Sequence, residues 1–351
     1  MKNPIILVAG GTGGHVFPAL SLAQELEAQG HDILFFTDSR GARLIPPTVT
    51  TPLKILPLQS RRNLFIFYLS LIWCFISGLG DIIRYRPQGI VGFGGYPALT
   101  WGLLAGLFRI PLIIHEQNAI LGRTNRLLVH WAKSVALTFK MEKTDFSGIH
   151  TGIPLRKDFK SVDYVLPKQG EVFHLFVVGG SQGARIFGEI IPQAVQLLPA
   201  FLQERLDIVQ QCCAEDVEKV KKAYGKTAAK TLVSPFFSHV AELLENAHLV
   251  IARAGASTIA EVMTVGRPAL FIPFPGAQDD HQTANAQAAV MVGGGWLFNQ
   301  KILTPERVAS FLERGLTCPS ILLLATEGAR RESHQNATQK LSKLVLECFT
   351  H

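Results

Sequence analysis

A chain of 351 residues, 48% of them hydrophobic, is long enough to bury the cores of two domains. Its net charge of +7 favours an anionic partner such as a nucleotide, a phosphorylated substrate or an acidic membrane. The basic residues form no long run, which argues against a nucleic-acid tail. The five cysteines, at 74, 212, 213, 318 and 348, make no CxxC pair, so they read as reduced thiols of a cytosolic protein and not as a disulfide frame or zinc site.

The amino terminus does not read as a signal peptide: the apolar run Pro4–Ala9 has a strand's length and breaks at once into Gly10-Gly11-Thr12-Gly13-Gly14. A helix from about His15 to Gln29, stopped by Gly30, precedes the strands DILFFT (32–37) and KILPL (54–58). Next comes Leu64–Leu79, an uncharged run flanked by Arg61, Arg62, Arg84 and Arg86. It falls short of the roughly 20 apolar residues that a bilayer span needs. With Tyr68, Trp73 and several phenylalanines between basic flanks, it reads as a helix lying at an anionic bilayer surface; the alternative is a helix buried in the core.

The first alternation of strands and helices continues with GIVGF (89–93), a glycine turn, a helix near 97–108, PLIIHE (111–116), a helix near 124–132 and SVALTF (134–139). Residues 154–170 turn polar and contain two prolines, the composition of a linker. HLFVV (174–178) then restarts the alternation with a second strand–glycine turn, Gly179–Arg185. HLVIA (248–252) leads through Arg253–Thr258 into a helix closed by Gly266 and Pro268, followed by ALFIPF (269–274) and a polar loop to Gln282. This pattern predicts an α/β chain of two Rossmann-like, doubly wound parallel-sheet domains with a cleft between them. The expected boundaries are 1–155 and 156–334, with the C-terminal helix, about 335–351, packing back on the first domain.

Three glycine turns, at 10–14, 92–95 and 179–183, bring backbone amides to sheet edges and suggest a substrate with several phosphates, or two phosphorylated substrates. The first is not a dinucleotide fingerprint, because Val16 stands where the third glycine should be; with it falls the reading of Asp38 as the ribose acid of a nicotinamide site. His15 at a helix start should be neutral near pH 7 and able to accept a proton, or else simply lies near a helix terminus. His115-Glu116-Gln117-Asn118, at a carboxyl strand end, face a cleft or form an ordinary polar loop. Thr258–Glu261 fits a capping box, while Glu261 is equally placed to accept two ribose hydroxyls beside a diphosphate at the helix start.

Taken in order, GGTGGHVFPAL (10–20), GFGGYP (92–97), HEQNAILGRTNRLL (115–128), TGIPLR (151–156), GGSQGAR (179–185), RAGASTIAE (253–261) and DDHQTANA (279–286) resemble the MurG family of bacterial peptidoglycan N-acetylglucosaminyltransferases over nearly the whole chain. The resemblance implies the GT-B fold and a peripheral enzyme at the cytoplasmic membrane face. It implies inverting transfer of N-acetylglucosamine from UDP-GlcNAc to the 4-hydroxyl of the muramyl sugar on an undecaprenyl-diphosphate-linked muramoyl peptide. The first domain would bind acceptor and membrane, through Leu64–Leu79, and the second the donor; no nucleic acid is expected. It implies further that Glu261 holds the ribose, that Arg253 and the segment Gly255, Ala256, Ser257 and Thr258 serve the diphosphate, and that Ser181 and Arg156 serve the phosphates or the donor cleft. Gln282 would lie near the donor sugar, Phe236 and Phe237 against the uracil, and Thr12, Gly13, Gly14 and Asn118 along the first-domain side of the donor. Gly14, Gly94 and Gly95 would meet the acceptor diphosphate, with His15 the leading candidate base and Glu116 and Tyr96 the others. The chain departs from the family pattern at Ile153, usually Asn, and at Ala98-Leu99-Thr100, usually Ser-Gly-Pro.

Amides at helix starts and arginine can stabilise a departing UDP without a metal, and no DxD pair stands out, so no obligatory metal or cofactor is expected. The rival readings are a UDP-sugar epimerase on the same fold, which leaves the apolar segment unused, a nicotinamide-dependent dehydrogenase, and a nucleic-acid-binding module.

Overall fold

The computed structural model describes residues 3–59, 63–141, 145–146, 148–168, 170–180 and 183–349. The chain forms two compact units, one of residues 1–156 with 335–351 and the other of residues 157–334.

Unit 1 is built on the strands β1 (Ile5–Val8), β2 (Ile33–Thr37), β3 (Leu53–Ile55), β4 (Gly89–Gly92), β5 (Leu112–Glu116), β6 (Ser134–Leu137) and β7 (Gly148–His150). They form one seven-stranded sheet in the order β3-β2-β1-β4-β5-β6-β7, parallel throughout. β1, β2, β4, β5 and β6 are buried along their whole length, as continuous apolar runs must be when helices cover both sheet faces. The helices are α1 (Gly13–Ala28), α2 (Ser39–Ala42), α3 (Leu64–Tyr85), α4 (Gly95–Phe108) and α5 (Arg123–Leu128). Strand order reverses at the β1/β4 pair, so the turns that follow these two strands open at the same carboxyl edge.

Unit 2 repeats the plan with β8 (Phe173–Val178), β9 (Leu206–Gln211), β10 (Lys230–Ser234), β11 (Leu249–Ala252), β12 (Ala269–Phe271) and β13 (Gly295–Leu297). The six strands are parallel, in the order β10-β9-β8-β11-β12-β13, and the switch point lies between β8 and β11. Its helices are α6 (Arg185–Gln196), α7 (Ala200–Gln203), α8 (Val217–Tyr224), α9 (Val240–Asn246), α10 (Ala256–Val265), α11 (His281–Met291), α12 (Pro305–Thr317) and α13 (Ser320–Arg331). The last helix, α14 (Ala337–Phe349), belongs to unit 1 and lays Leu341, Leu344, Val345 and Phe349 into the core that also holds Val16, Ala19 and Ala23 of α1. Lys133 Nζ donates to the Cys348 carbonyl at 2.7 Å and fixes its end.

α3 corrects one expectation. The apolar run 64–79 looked too short to span a bilayer, but the helix continues to Tyr85 and is 22 residues long, enough by length and composition to cross one. The charge that ended the run, Asp81, turns inward, is buried and pairs with Lys54 of β3, and Arg86 in the left-handed region (φ 47°) stops the helix. Nor is α3 a core helix. Phe67, Ser70, Cys74, Gly78, Asp81 and Ile82 face inward, while Phe65, Tyr68, Leu69, Ile72, Trp73, Ile76 and Ile83 are exposed. The flanking Arg61 and Arg62 lie outside the described residues.

The Lys54–Asp81 pair anchors the polar end of α3, and a buried charge that loses its partner costs more than replacing the pair by apolar residues. Lys54→Met should therefore lower stability by about 1–3 kcal/mol. The double variant Lys54→Met/Asp81→Leu should recover most of that in thermal unfolding; equal losses in the two would show the pair to be inert.

Candidate active site

In unit 1 the two glycine turns at the switch point pack on each other. After β1 the chain turns through Gly11, left-handed at φ 81°, and enters α1 with Thr12 as N-cap, whose side chain makes no cap bond. After β4 it turns through Gly94 and Gly95, at φ 89° and 77°. A methyl at Gly95 would stand 3.2 Å from the Gly10 carbonyl oxygen, and one at Gly94 3.1 Å from His15 Nε2. His15 Nδ1 lies 2.8 Å from the Gly10 oxygen. A carbonyl only accepts, so Nδ1 carries the proton and Nε2 keeps the lone pair. Burial lowers the His15 pKa from its ordinary 6.5; the Gly10 bond opposes this, as do the charges of Glu116 and Asp38, while Arg40 adds to it.

Glu116 ends β5. It is buried, and its two oxygens accept from Asn118 N (2.9 Å), Asn118 Nδ2 (3.1 Å), Gly122 N (2.8 Å) and Asn125 Nδ2 (2.8 Å). With its lone pairs so engaged, the carboxylate shapes the loop 117–122 and presents Asn118. Tyr96 is half-buried and packs edge-on against Phe67 of α3, with ring centroids 4.7 Å apart. His115 is fully buried, donates from Nε2 to the Gly152 carbonyl (2.9 Å) and accepts at Nδ1 from Gln117 (3.2 Å). Burial pushes its pKa down to about 4, so it is a neutral strut. Arg156 is exposed at the end of this unit.

In unit 2, α10 starts at its switch point. Gly255 is the N-cap, with no side-chain cap bond, and the first intrahelical bond is Ile259 N–H to the Gly255 carbonyl. The amides of Ala256, Ser257 and Thr258 precede it, the unsatisfied donors of a helix start. This removes the capping-box reading: Thr258 lies inside the first turn, and Glu261 a turn further on cannot reach the cap amide. Glu261 is half-buried. Ser257 Oγ is buried with no hydrogen-bond partner among the described residues. Asn285 Nδ2 holds the Ala254 carbonyl at 3.1 Å and sets the entry to the helix.

Arg253 is buried beneath that turn, donating from Nη1 to the Ile272 (3.1 Å) and Pro273 (3.0 Å) carbonyls between the rings of Phe187 and Phe274. Burial lowers its pKa to about 10, which leaves it cationic at neutral pH. Gln282 Oε1 accepts from Phe274 N at 2.9 Å. The structure separates Phe236 from Phe237: the first is 72% exposed, whereas the second is buried against Phe176 and is a core residue. In the turn after β8, Gly179 N–H donates to Gln211 Oε1 at 3.2 Å; Ser181 lies outside the described residues.

Residues 5–137 match the glycosyltransferase family 28 N-terminal domain and residues 174–343 its C-terminal domain. The chain is 41% identical to a UDP-N-acetylglucosamine–N-acetylmuramyl-(pentapeptide) pyrophosphoryl-undecaprenol N-acetylglucosamine transferase of Granulibacter bethesdensis, over 98% of this chain and 93% of that one. The protein of the same name from Paramagnetospirillum magneticum is 40% identical, over 98% and 96%. The crystal structure of Acinetobacter baumannii MurG matches 99% of this chain and 100% of that one, with a TM-score of 0.81 and 30% identity. The chain belongs to the MurG family. It is a GT-B glycosyltransferase.

Family membership leaves the division of labour among side chains to geometry. The sequence singled out Asn118 and Glu116 but not Asn125, which bonds both Glu116 and the His115 carbonyl, nor Asn285. Both asparagines stand inside stretches that carried the resemblance, at 115–128 and 279–286, which was the available signal. Among the described residues Cys213, Glu215 and Asp216 group their potential metal-ligating atoms, but Arg185 already pairs with both carboxylates, at 2.6 and 3.5 Å.

The buried His115 makes stability depend on pH. Its imidazole takes up a proton near pH 6.5 when unfolded and only near pH 4 when folded. Between these values the unfolded chain binds more protons, so stability falls as pH falls through that window. Thermal unfolding from pH 7 to 4 should show a steeper loss in the wild type than in His115→Gln; parallel curves would mean that His115 does not titrate this way.

Proposed function

We propose that this chain transfers N-acetylglucosamine from UDP-GlcNAc to the 4-hydroxyl of the muramyl sugar of an undecaprenyl-diphosphate-linked muramoyl peptide, with inversion at the anomeric carbon. The observation that carries this reading is the uncapped start of α10 with the half-buried Glu261 one turn on. One helix thereby offers amides for a diphosphate and a carboxylate for a diol. Unit 2 holds the donor. The amides of Ala256, Ser257 and Thr258 and the charge of Arg253 serve the diphosphate, joined by Ser181 and Arg156. Glu261 accepts the two ribose hydroxyls, Phe236 covers the uracil, and the Gln282 amide N–H group, left over from its bond to Phe274, meets the sugar.

Unit 1 supplies the acceptor side. Thr12, Gly13, Gly14 and Asn118 line the donor sugar, and Gly14, Gly94 and Gly95 receive the acceptor's diphosphate. His15 Nε2 takes the proton of the attacking hydroxyl as the C–O bond forms and the bond to UDP breaks. The nearby charges of Glu116 and Asp38 favour the imidazolium that results. Base catalysis of this kind contributes about 10²–10⁴-fold. The departing diphosphate leaves onto amides already oriented, so no metal is required.

α3 gives the enzyme its place. A lipid-linked acceptor stays at the bilayer, and the exposed face of Phe65, Tyr68, Leu69, Ile72, Trp73 and Ile76 follows helical spacing along one side. We infer peripheral attachment to the anionic cytoplasmic surface, the inward Asp81–Lys54 pair being out of place in a span.

Kinetics in a chelator-containing buffer test the chemistry. Glu261→Gln should raise the donor KM by about 10- to 100-fold at unchanged Tm. His15→Ala should lower kcat by about 10²–10⁴-fold with little change in donor KM. A wild-type kcat in the second variant would remove His15 from the reaction, and an unchanged KM in the first would make Glu261 structural.

Vesicle sedimentation tests the attachment. Ile72→Glu/Trp73→Glu, both at exposed positions, should abolish binding to anionic vesicles at low salt while donor KM and Tm stay as in the wild type. Wild-type protein that ignores such vesicles would sink this part of the reading.

A further inference from the structure

Asp38 lost its candidacy as a ribose acid, and the transfer reaction gives it no contact with substrate. Its carboxylate is nevertheless buried and heavily bonded. Oδ1 accepts from Arg40 N (3.1 Å) and Gly41 N (2.8 Å), which caps α2, and also from Gly11 N (3.3 Å) in the turn that carries His15. Oδ2 accepts from Arg40 Nε (3.3 Å) and Nη2 (2.9 Å). Capping needs only the first two of these bonds; the rest tie the Gly11 turn and the Arg40 guanidinium to one carboxylate.

The guanidinium is thereby laid over the turn: a methyl at Gly11 would stand 2.9 Å from Arg40 Nη2. A guanidinium has five N–H donors, and Asp38 takes one from Nε and one from Nη2. No hydrogen bond takes up the others among the described residues, and the Arg40 side chain is 58% exposed. The cation is close enough to His15 to act on its proton affinity. Arg40 from α2 and the imidazole from α1 thus both lie against the Gly10–Gly11 turn, and the remaining donors of the fork are unused among the described residues.

We propose that Arg40, fixed by Asp38, is an anion-binding residue of the unit 1 site and receives a phosphoryl oxygen of the diphosphate-bearing acceptor beside His15. This rests on the transfer reaction proposed above. Arginine matches phosphoryl oxygens with paired N–H donors, and a fork already held by a carboxylate loses less side-chain freedom on binding than a free one. The competing role, a cation that merely balances the buried Asp38, gives a different result, because its loss would lower stability and leave acceptor choice untouched.

The test is steady-state kinetics with two soluble acceptor analogues, one with the diphosphate and one in which a neutral linker replaces it. Arg40→Ala should raise KM for the diphosphate acceptor at least tenfold and leave both donor KM and KM for the neutral analogue as in the wild type. Arg40→Lys should recover part of the loss, since it restores charge without the fork. An unchanged KM for the diphosphate acceptor, or an equal rise for both analogues, overturns the assignment. Failure of the wild-type enzyme to transfer to the diphosphate acceptor at all overturns the proposed reaction, and this inference with it.

Discussion

The His15 turn of unit 1 depends on how closely two pieces of backbone approach. The Gly10 carbonyl lies against Gly95 and His15 Nε2 against Gly94, with spacings that a single added carbon at either glycine would crowd. Both glycines also have positive φ, so a side chain would carry backbone strain as well as a clash. The approach puts the Gly10 oxygen where it takes the Nδ1 proton, and this fixes the tautomer that leaves Nε2 basic. The tautomer of one side chain thus depends on the absence of two others.

The two units solve their electrostatic problems differently. Unit 2 uses backbone amides at the start of α10 over a buried guanidinium held by carbonyls. Such donors are oriented before any ligand arrives and do not titrate, which suits a dianionic leaving group. Unit 1 instead holds an imidazole at its switch point, whose proton affinity burial and Arg40 lower while Glu116 and Asp38 raise it. The hydrogen bonds of Glu116 hold its carboxylate in place and shape the Asn118 loop at the same time.

The parallel-sheet plan and the glycine turns were legible because apolar runs and glycines report directly on burial and on turns. What escaped notice has a common cause, which is polarity turned inward. β9 reads LDIVQQ, and its glutamines hide it from a hydropathy pattern; yet Gln210 is buried and accepts from Tyr224, and Gln211 bridges Gly179 N–H and the Pro235 carbonyl. Asp81 ended the apolar run on paper while the helix went on for another turn around it. Thr258 and Glu261 had the spacing of a capping box, but the helix begins earlier, at a glycine cap that leaves no side-chain signature. Phe236 and Phe237, adjacent in sequence, have opposite exposures, which no pattern of residue types distinguishes.

α3 shows the same inversion on a larger scale. A helix on a water-soluble surface normally buries its aromatic residues and exposes its charges. Here a carboxylate is sealed inside against Lys54, while Trp73, Phe65 and Ile72 stand outside. Pairing offsets the burial of Asp81, but no described element covers the apolar row, and α4 packs beside the inward-facing Gly78. Each exposed methylene moved from water into hydrocarbon contributes about 0.8 kcal/mol. The row contributes to stability only where it is covered, as the bilayer attachment proposed above would cover it.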